Sequence, residues 1–304
     1  MGIDLHNLGL LAHAQDRGVS FTRTVGIGRQ ALFVDPPELE RHRVLRGVAP
    51  LADEAPAGGP RWFEPVMRQW FGAATVDSVD ASAYEQATLL HDMNLPWPAG
   101  QPGMGSYDAV IDFGCLEHVF DFPVAWRNCV ALCRAGGHLF HSLPANNLSG
   151  HGFYQFSPEL FFNLYQEKNG FALLGVWFAL KAEPRYWWKV ADPAAVRHRV
   201  TLRNAHEVYM LVVARKLGEV GALPPPQQSD YAQGEWQRSA AGSSTPARQR
   251  GVAGALAALG LLDAARRGRE HLRALRQSGL TLPAPDYERV DVDALLRRGT
   301  HGSA

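Results

Sequence analysis

The chain has 304 residues, of which 46% are hydrophobic and 20% charged, and its 30 basic residues equal its 30 acidic ones. This length allows one large domain, or one domain with an appendage. A net charge of zero argues against a protein that binds nucleic acid or an anionic membrane surface.

The three cysteines have neither the spacing of a zinc finger nor the even count of a secreted disulfide framework. The first residues lack the basic flank and the long apolar core of a signal peptide. No run approaches the roughly eighteen apolar residues of a membrane span. We therefore expect a cytoplasmic protein with no integral membrane segment.

Apolar periodicity and turn residues predict alternating helices and strands along the first 216 residues. Helices are predicted at 3–17, 36–45, 61–73, 122–134 and 157–171. Strands are predicted at 21–28, 74–82, within 87–98, and at 107–114, 138–144, 173–180 and 207–216. This alternation predicts an α/β fold, a doubly wound and mostly parallel sheet with helices on both faces.

The composition changes after the last of these strands. Residues 219–247 are rich in Pro, Gln, Ser and Gly, which predicts a flexible linker after an α/β domain at 1–218. Residues 248–304 predict an Arg-rich helical C-terminal extension. Its basic helix could contact a membrane or an acidic partner, dock on its own domain, or form an oligomer.

Ligands of open parallel sheets bind at the carboxyl ends of the strands, where strand order reverses. Gly26 and Gly28 follow the first predicted strand, and glycine there lets a ligand approach the backbone, although tight turns need glycine too. Asp80 ends the next strand, where it would hold ribose hydroxyls or cap a turn. Asp92 follows the third strand, where it would bind a nucleobase amine or belong to a turn.

Five stretches follow one another in a characteristic order: VDAS at 79–82, HDMNLPWP at 91–98, YDAVIDFGCLEHVFD at 107–121, CRAGGHLFHSLP at 133–144 and GFYQFSPELFFNLYQEKNGF at 152–171. Together they resemble the class I S-adenosylmethionine-dependent methyltransferases, especially those that act on small molecules. The resemblance spans about residues 20–216 and is most specific over 107–171. It implies a Rossmann-like sheet whose last strand, at 207–216, is antiparallel.

The resemblance also implies S-adenosylmethionine as the cofactor. The residues it assigns to the cofactor are Gly26, Gly28, Asp80, Asp92 and Met93, with Phe113 and Gly114 beside the methionine half. The first glycine motif is degenerate, because TVGIGRQALF has two glycines where the family has an acid followed by three. Thr24 replaces the acid, and Arg29 and Gln30 occupy the place of the third glycine.

Methyl transfer from a sulfonium is an in-line displacement, so the protein contributes mainly by aligning the reacting atoms. A hydroxyl acceptor also needs a base near neutral pH, for which histidine is suited. His151 is the predicted base, and His118 is the second catalytic candidate, although its ring could instead hold its loop in place. His141 is kept in reserve.

The predicted acceptor is a small molecule, possibly a carbohydrate, bound by Asn147, Tyr154 and Glu117. No metal site is predicted, because the carboxylates are scattered and no paired spacing occurs. Two other functions stay open. One is a catalytically inactive binding or scaffold protein of the same fold, which the degenerate glycine motif favours. The other is a nicotinamide-dependent Rossmann oxidoreductase, against which no G-x-G-x-x-G occurs.

Overall fold

The computed structural model describes residues 2–52, 60–221, 225–232 and 285–298, together with residues 268, 272 and 282. Strands within these ranges form one nine-stranded sheet and one two-stranded sheet. None of the helices described is both long and apolar enough to cross a membrane. The nine-stranded sheet is the framework of the protein.

Five parallel strands form one half of this sheet, in the order β5–β4–β2–β6–β7. They are β2 (Arg23–Ile27), β4 (Thr75–Asp80), β5 (Leu89–Leu90), β6 (Tyr107–Phe113) and β7 (Cys133–Asn146). From β2 the chain moves outwards to β5 and then returns to form β6 on the other side of β2. Strand order therefore reverses between β2 and β6, where such sheets bind ligands.

The other half of the sheet is antiparallel. The last predicted strand, β10 (Val208–Lys216), lies between β7 and β8 (Phe171–Leu180) and is antiparallel to both. Beyond β8, β9 (Tyr186–Val190) and β11 (Tyr287–Asp291) extend the sheet. The predicted fold class, a doubly wound and mostly parallel sheet with an antiparallel last strand, is confirmed.

Helices pack on both faces of the sheet and bury two apolar clusters. They are α1 (Leu5–Gln15), α2 (Pro36–Arg46), α3 (Glu64–Phe71), α4 (Phe122–Leu132), α5 (Pro158–Leu164), α6 (Pro193–Val196), α7 (Ser229–Ala232) and α8 (Val292–Arg298). One sequence signal starts α2, α4, α5 and α6: a capping side chain that accepts a backbone N–H, followed by proline in the first turn.

Two short strands, β9 and one helix end are among the differences from the sequence prediction. β1 (Gly2–Ile3) pairs in parallel with β3 (Ala31–Leu32), and two residues are too few to give a periodic pattern. The helix predicted over 157–171 ends at Leu164. Its end is fixed by Asn169, whose Nδ2 donates to the carbonyl oxygens of Asn163 and Leu164 at 2.9 and 3.0 Å.

The C-terminal segment contributes more than a helix. β11 pairs with β9 at the edge of the large sheet, and Val292 and Leu296 of α8 are buried in the cluster that also holds α1. Most of the predicted linker at 219–247 lies outside the described residues. Its boundaries, and those of the extension, therefore stay a prediction.

His42 on α2 gives this core a pH dependence. The ring is buried and stacks on Trp70, with their centroids 5.9 Å apart. Burial, aided by the charges of Arg46 and Arg41, lowers the pKa of His42 to about 4. The unfolded chain takes up this proton near pH 6.5, so stability is present above that pH and is lost as the pH falls towards 4.

We expect His42→Phe to reduce this acid loss, because phenylalanine keeps a ring against Trp70 and cannot take up a proton. Between pH 6.5 and 4 the slope of unfolding free energy should be smaller by up to about 1.4 kcal/mol per pH unit. Urea unfolding at a series of pH values measures the slope. The same slope in both proteins would contradict the assignment.

Candidate functional site

A cavity of about 690 Å³ opens at the carboxyl ends of β6 and β7. Phe113 and Gly114 line it where β6 ends, and Ser142 of β7 and Tyr209 of β10 lie beside them. Residues from the start of α1 and from the loop after β8 also line it. The cavity therefore lies at the edge of the sheet where the sequence predicts a ligand.

Asp112, the next-to-last residue of β6, fixes the loop that borders this cavity. Its carboxylate is fully buried, and its Oδ1 accepts the backbone N–H groups of Cys115 and Leu116, both at 3.1 Å. Its Oδ2 lies 2.8 Å from Nδ1 of His141. The turn into the short 3₁₀ helix Leu116–His118 is thus tied to the sheet interior.

His141, the reserve catalytic candidate, belongs to this buried network and does not line the cavity. Trp126 donates to the Tyr165 hydroxyl at 2.9 Å, and that hydroxyl lies 2.6 Å from Nε2 of His141. The hydroxyl therefore donates to Nε2, which places the ring proton on Nδ1, facing Asp112. Both ring nitrogens are occupied, so His141 has no lone pair for a substrate.

Glu117 also lines the cavity, and its carboxyl differs from that of Asp112 in its hydrogen bonds. Its side chain is 0% exposed, yet neither carboxylate oxygen has a hydrogen-bond partner among the described residues. Burial, together with the nearby charge of Asp112, raises the pKa of Glu117 to about 8. A buried carboxyl without partners is costly, and such groups are typical of functional sites.

The two predicted catalytic histidines lie above Glu117. Nε2 of His151 is 3.3 Å and Nε2 of His118 is 3.9 Å from Oε1 of Glu117. The two rings meet edge to face, with centroids 4.9 Å apart, and each side chain is 44% exposed. Burial and the neighbouring ring of His151 lower the pKa of His118. We call Glu117, His118 and His151 the Glu-His cluster.

The loop after β7 is held against Glu117 by its backbone. Phe153 N donates to the Glu117 carbonyl at 2.7 Å. Gly152 has φ +72°, and a Cβ there would lie 2.7 Å from the same carbonyl oxygen. Only glycine allows this approach, so Gly152 lets the loop bring His151 over Glu117.

The first glycine turn is filled by the chain's own side chains. Gln30 is fully buried, and its Nε2 donates to the Ile27 carbonyl at 2.7 Å. A Cβ on Gly26 would lie 3.1 Å from the Phe63 ring and 3.3 Å from Gln30 Cγ. The turn leads into β3, so no helix N-terminus faces a ligand here.

The acidic cofactor candidates bind backbone groups of their own turns. Oδ1 of Asp80 accepts Ser82 N at 3.1 Å. Asp92 accepts the backbone and side-chain N–H groups of Asn94, which lower its pKa. Met93 is buried in the core. Of the seven cofactor candidates, the structure brings only Phe113 and Gly114 into the cavity.

Two acceptor candidates also lie outside the cavity. Asn147 Nδ2 donates to the carbonyl oxygens of Asn204 and His206, at 2.6 and 2.7 Å, and so joins two loops. The hydroxyl of Tyr154 donates to the Phe120 carbonyl at 2.6 Å. Of the acceptor candidates, only Glu117 lines the cavity, because the other two side chains are committed to backbone carbonyls.

The start of α1 supplies site residues that the sequence prediction missed. The Trp187 ring donates to Nδ1 of His6 at 3.0 Å. The proton of the His6 ring is therefore on Nε2, which donates to the Leu180 carbonyl. Asn7 lines the cavity next to it, and its Oδ1 is buried without a partner among the described residues. The sequence did carry a signal, because His6 and Asn7 are polar residues within an otherwise mainly apolar helix.

Comparisons with known proteins give fold-level matches. No protein-family model matches the chain, and no curated protein matches it significantly. The solved structures to which the chain is similar include methyltransferases. A trans-methyltransferase, CalH, in complex with SAH is 16% identical, over 70% of this chain and 57% of its own length, with a TM-score of 0.37.

Two further solved structures have comparable scores. The cyclase SpnF is 13% identical over 70% of this chain and 81% of its own, with a TM-score of 0.38. A 1,6-didemethyltoxoflavin-N1-methyltransferase from Burkholderia thailandensis, with 1,6-didemethyltoxoflavin and S-adenosylhomocysteine bound, is 13% identical over 70% and 78%, with a TM-score of 0.38.

We expect Asp112→Ala to destabilise the protein by about 3 kcal/mol or more, because it leaves three N–H donors unpaired, two of them in fully buried bonds. It should also release the 115–119 turn, seen as faster hydrogen exchange there. Tyr165→Phe is the matched control: it disturbs the far side of His141, costs about 1–3 kcal/mol, and should leave that turn protected. Equal exchange in both variants would contradict the role of Asp112.

Proposed function

We propose that the protein is an S-adenosylmethionine-dependent methyltransferase that acts on a hydroxyl group of a small molecule such as a sugar. One observation carries the proposal. The cavity at the carboxyl ends of β6 and β7 joins the residues predicted beside the cofactor's methionine half to Glu117 and His151 of the Glu-His cluster. Its volume suits a small-molecule site, which typically occupies about 300–1,000 Å³.

The cofactor would supply the methyl group on a sulfonium. Phe113 and Gly114 fit its methionine half, and Gly114 has φ +86°, where a side chain would be strained. Asp80 is the residue we propose for the ribose, with Gly26, Gly28, Asp92 and Met93 along the nucleoside. These five lie outside the cavity, and Gln30 fills the turn, so the fit is good for the methionine half and incomplete for the nucleoside half.

On the acceptor side, His151 is the residue we propose to take the hydroxyl proton. Its ring is half exposed and its Nε2 is near the Glu117 carboxyl, which in its ionised form would stabilise the imidazolium. The ring of His118 packs against it edge to face. The remaining contribution of the protein is to hold the acceptor in line with the methyl group.

A second candidate function is a catalytically inactive protein of the same fold that binds a small molecule. The buried Gln30 side chain favours it, because the amide bonds to the turn that a cofactor would otherwise approach. Such a protein would bind an acceptor in the cavity without binding S-adenosylmethionine. Binding of NAD instead would favour an oxidoreductase.

Titration calorimetry tests the cofactor. We expect one molecule of S-adenosylmethionine or its demethylated product to bind per chain, and Asp80→Ala to weaken binding by roughly 1.5–3 kcal/mol, the range for hydrogen bonds to charged groups. Asp77→Ala is the control, because this carboxylate on the same strand accepts from the Tyr107 hydroxyl. No heat at millimolar ligand would remove the methyltransferase proposal.

His151→Ala tests the acceptor side. We expect turnover to fall by about 10²–10⁴-fold, measured as S-adenosylhomocysteine released with a panel of sugars and other hydroxyl compounds. Cofactor affinity and thermal stability should not change. His198→Ala, at an exposed ring elsewhere, should leave turnover intact. An unchanged kcat with a raised KM would make His151 a residue that only binds the acceptor.

A further inference from the structure

The three residues of the Glu-His cluster bring potential metal ligands to one point. One ligand atom from each of them lies within 4.8 Å of the other two. Oε1 of Glu117 is 3.3 Å from Nε2 of His151 and 3.9 Å from Nε2 of His118. Two ligands of one zinc ion, each about 2.1 Å from it, are about 3.4 Å apart at the tetrahedral angle. Small rotations of the half-exposed rings would therefore complete the geometry.

The Glu117 carboxylate supplies an independent observation. It is completely buried in a residue that lines the cavity, and both of its oxygens have no hydrogen-bond partner in the part of the chain that the structure describes. His151 is near but is not aligned as a hydrogen-bond donor. When it is ionised, this carboxylate needs a positive partner, and a bound cation with the histidines as co-ligands provides one.

The scaffold under the cluster is rigid, as a metal site requires. Asp112 binds the backbone of the turn that carries Glu117 and His118. Phe153 N donates to the Glu117 carbonyl, and Gly152 packs against the same carbonyl. These two contacts hold His151, the neighbour of Gly152, close to Glu117. The ligands come from two loops that the core fixes relative to each other.

We propose that Glu117, His118 and His151 bind one divalent transition-metal ion, with Zn²⁺ as the best match. Two imidazole nitrogens and one carboxylate oxygen suit this class of ion, whereas Mg²⁺ and Ca²⁺ prefer oxygen ligands alone. Three protein ligands leave at least one coordination position open towards the cavity. A hydroxyl or carboxylate oxygen of a small molecule is the chemistry that this position would take.

The site goes beyond the proposed function and does not depend on it. When the ion is bound, His151 is a ligand, so its proposed proton transfer belongs to the ion-free protein. Turnover measured with and without added Zn²⁺ separates the two roles. Metal binding itself is measured without any cofactor or acceptor.

The test uses full-length protein without a histidine tag, freed of metal with EDTA and then freed of EDTA. Titration with Zn²⁺ is followed by calorimetry, and titration with Co²⁺ by its visible absorption, which reports nitrogen ligation. We expect one ion per chain, and binding at least about tenfold weaker in Glu117→Gln and in His118→Ala. His198→Ala should bind like the wild type.

Two glycines of the loop provide a matched pair of variants. Gly152→Ala would drive a methyl group against Glu117 and move His151 away, whereas a Cβ on Gly150 meets nothing within 4 Å. We expect Gly152→Ala to lose at least about tenfold in Zn²⁺ affinity and Gly150→Ala to keep it. Thermal unfolding without metal shows whether each variant is folded.

Absence of Zn²⁺ and Co²⁺ binding in the wild type at millimolar concentration would overturn the metal site. So would binding that Glu117→Gln leaves unchanged, or that His198→Ala abolishes, because either result places the ion elsewhere. Titration of the same samples with S-adenosylmethionine tests the proposed function separately from the metal site. Loss of that signal with metal binding intact would overturn only the proposed function.

Discussion

The bond network of Asp112 connects the interior of the sheet to the cavity. Its two oxygens receive two backbone N–H groups of the turn after β6 and the imidazole of His141, which the Tyr165 hydroxyl holds from the far side. A buried carboxylate is favourable only when its hydrogen bonds are complete. Here they are complete, so the charge fixes a loop at the place where strand order reverses.

Glu117, five residues further along the chain, has equal burial and none of these partners. The contrast separates an acid with a structural role from one that we propose is functional. The hydrogen bonds of Asp112 are made inside the protein, whereas the Glu117 carboxyl has none among the described residues. The proposed proton acceptor role of His151 and the proposed metal site both depend on this unpaired carboxyl, and they differ in whether the positive charge near it is a proton or a metal ion.

The two halves of the expected cofactor site have different characters. At the end of β6 the chain leaves space, with Gly114 at positive φ beside a cavity. At the end of β2 the chain fills space, because Gln30 and Phe63 pack on the glycine turn. The carboxyl end of β6 therefore keeps space for a ligand. The turn after β2, where we propose that the nucleoside binds, is filled by side chains. The space at the end of β6 favours an active methyltransferase, and the filled turn after β2 favours a protein that binds a small molecule without catalysis.

The sequence by itself determined the order and type of the main elements, because apolar periodicity, capping residues and glycine turns act over a few residues. It also identified the strand ends where Gly114, Glu117 and His151 lie. Tertiary structure decided which of these polar groups share a cavity, and that His141, Asn147 and Tyr154 bond to other parts of the chain. It also decided that β11 joins the sheet and that Asn7 lines the site. The reason is that these outcomes depend on contacts between residues far apart in sequence, and each such contact determines whether a polar side chain is already satisfied or remains available to a ligand.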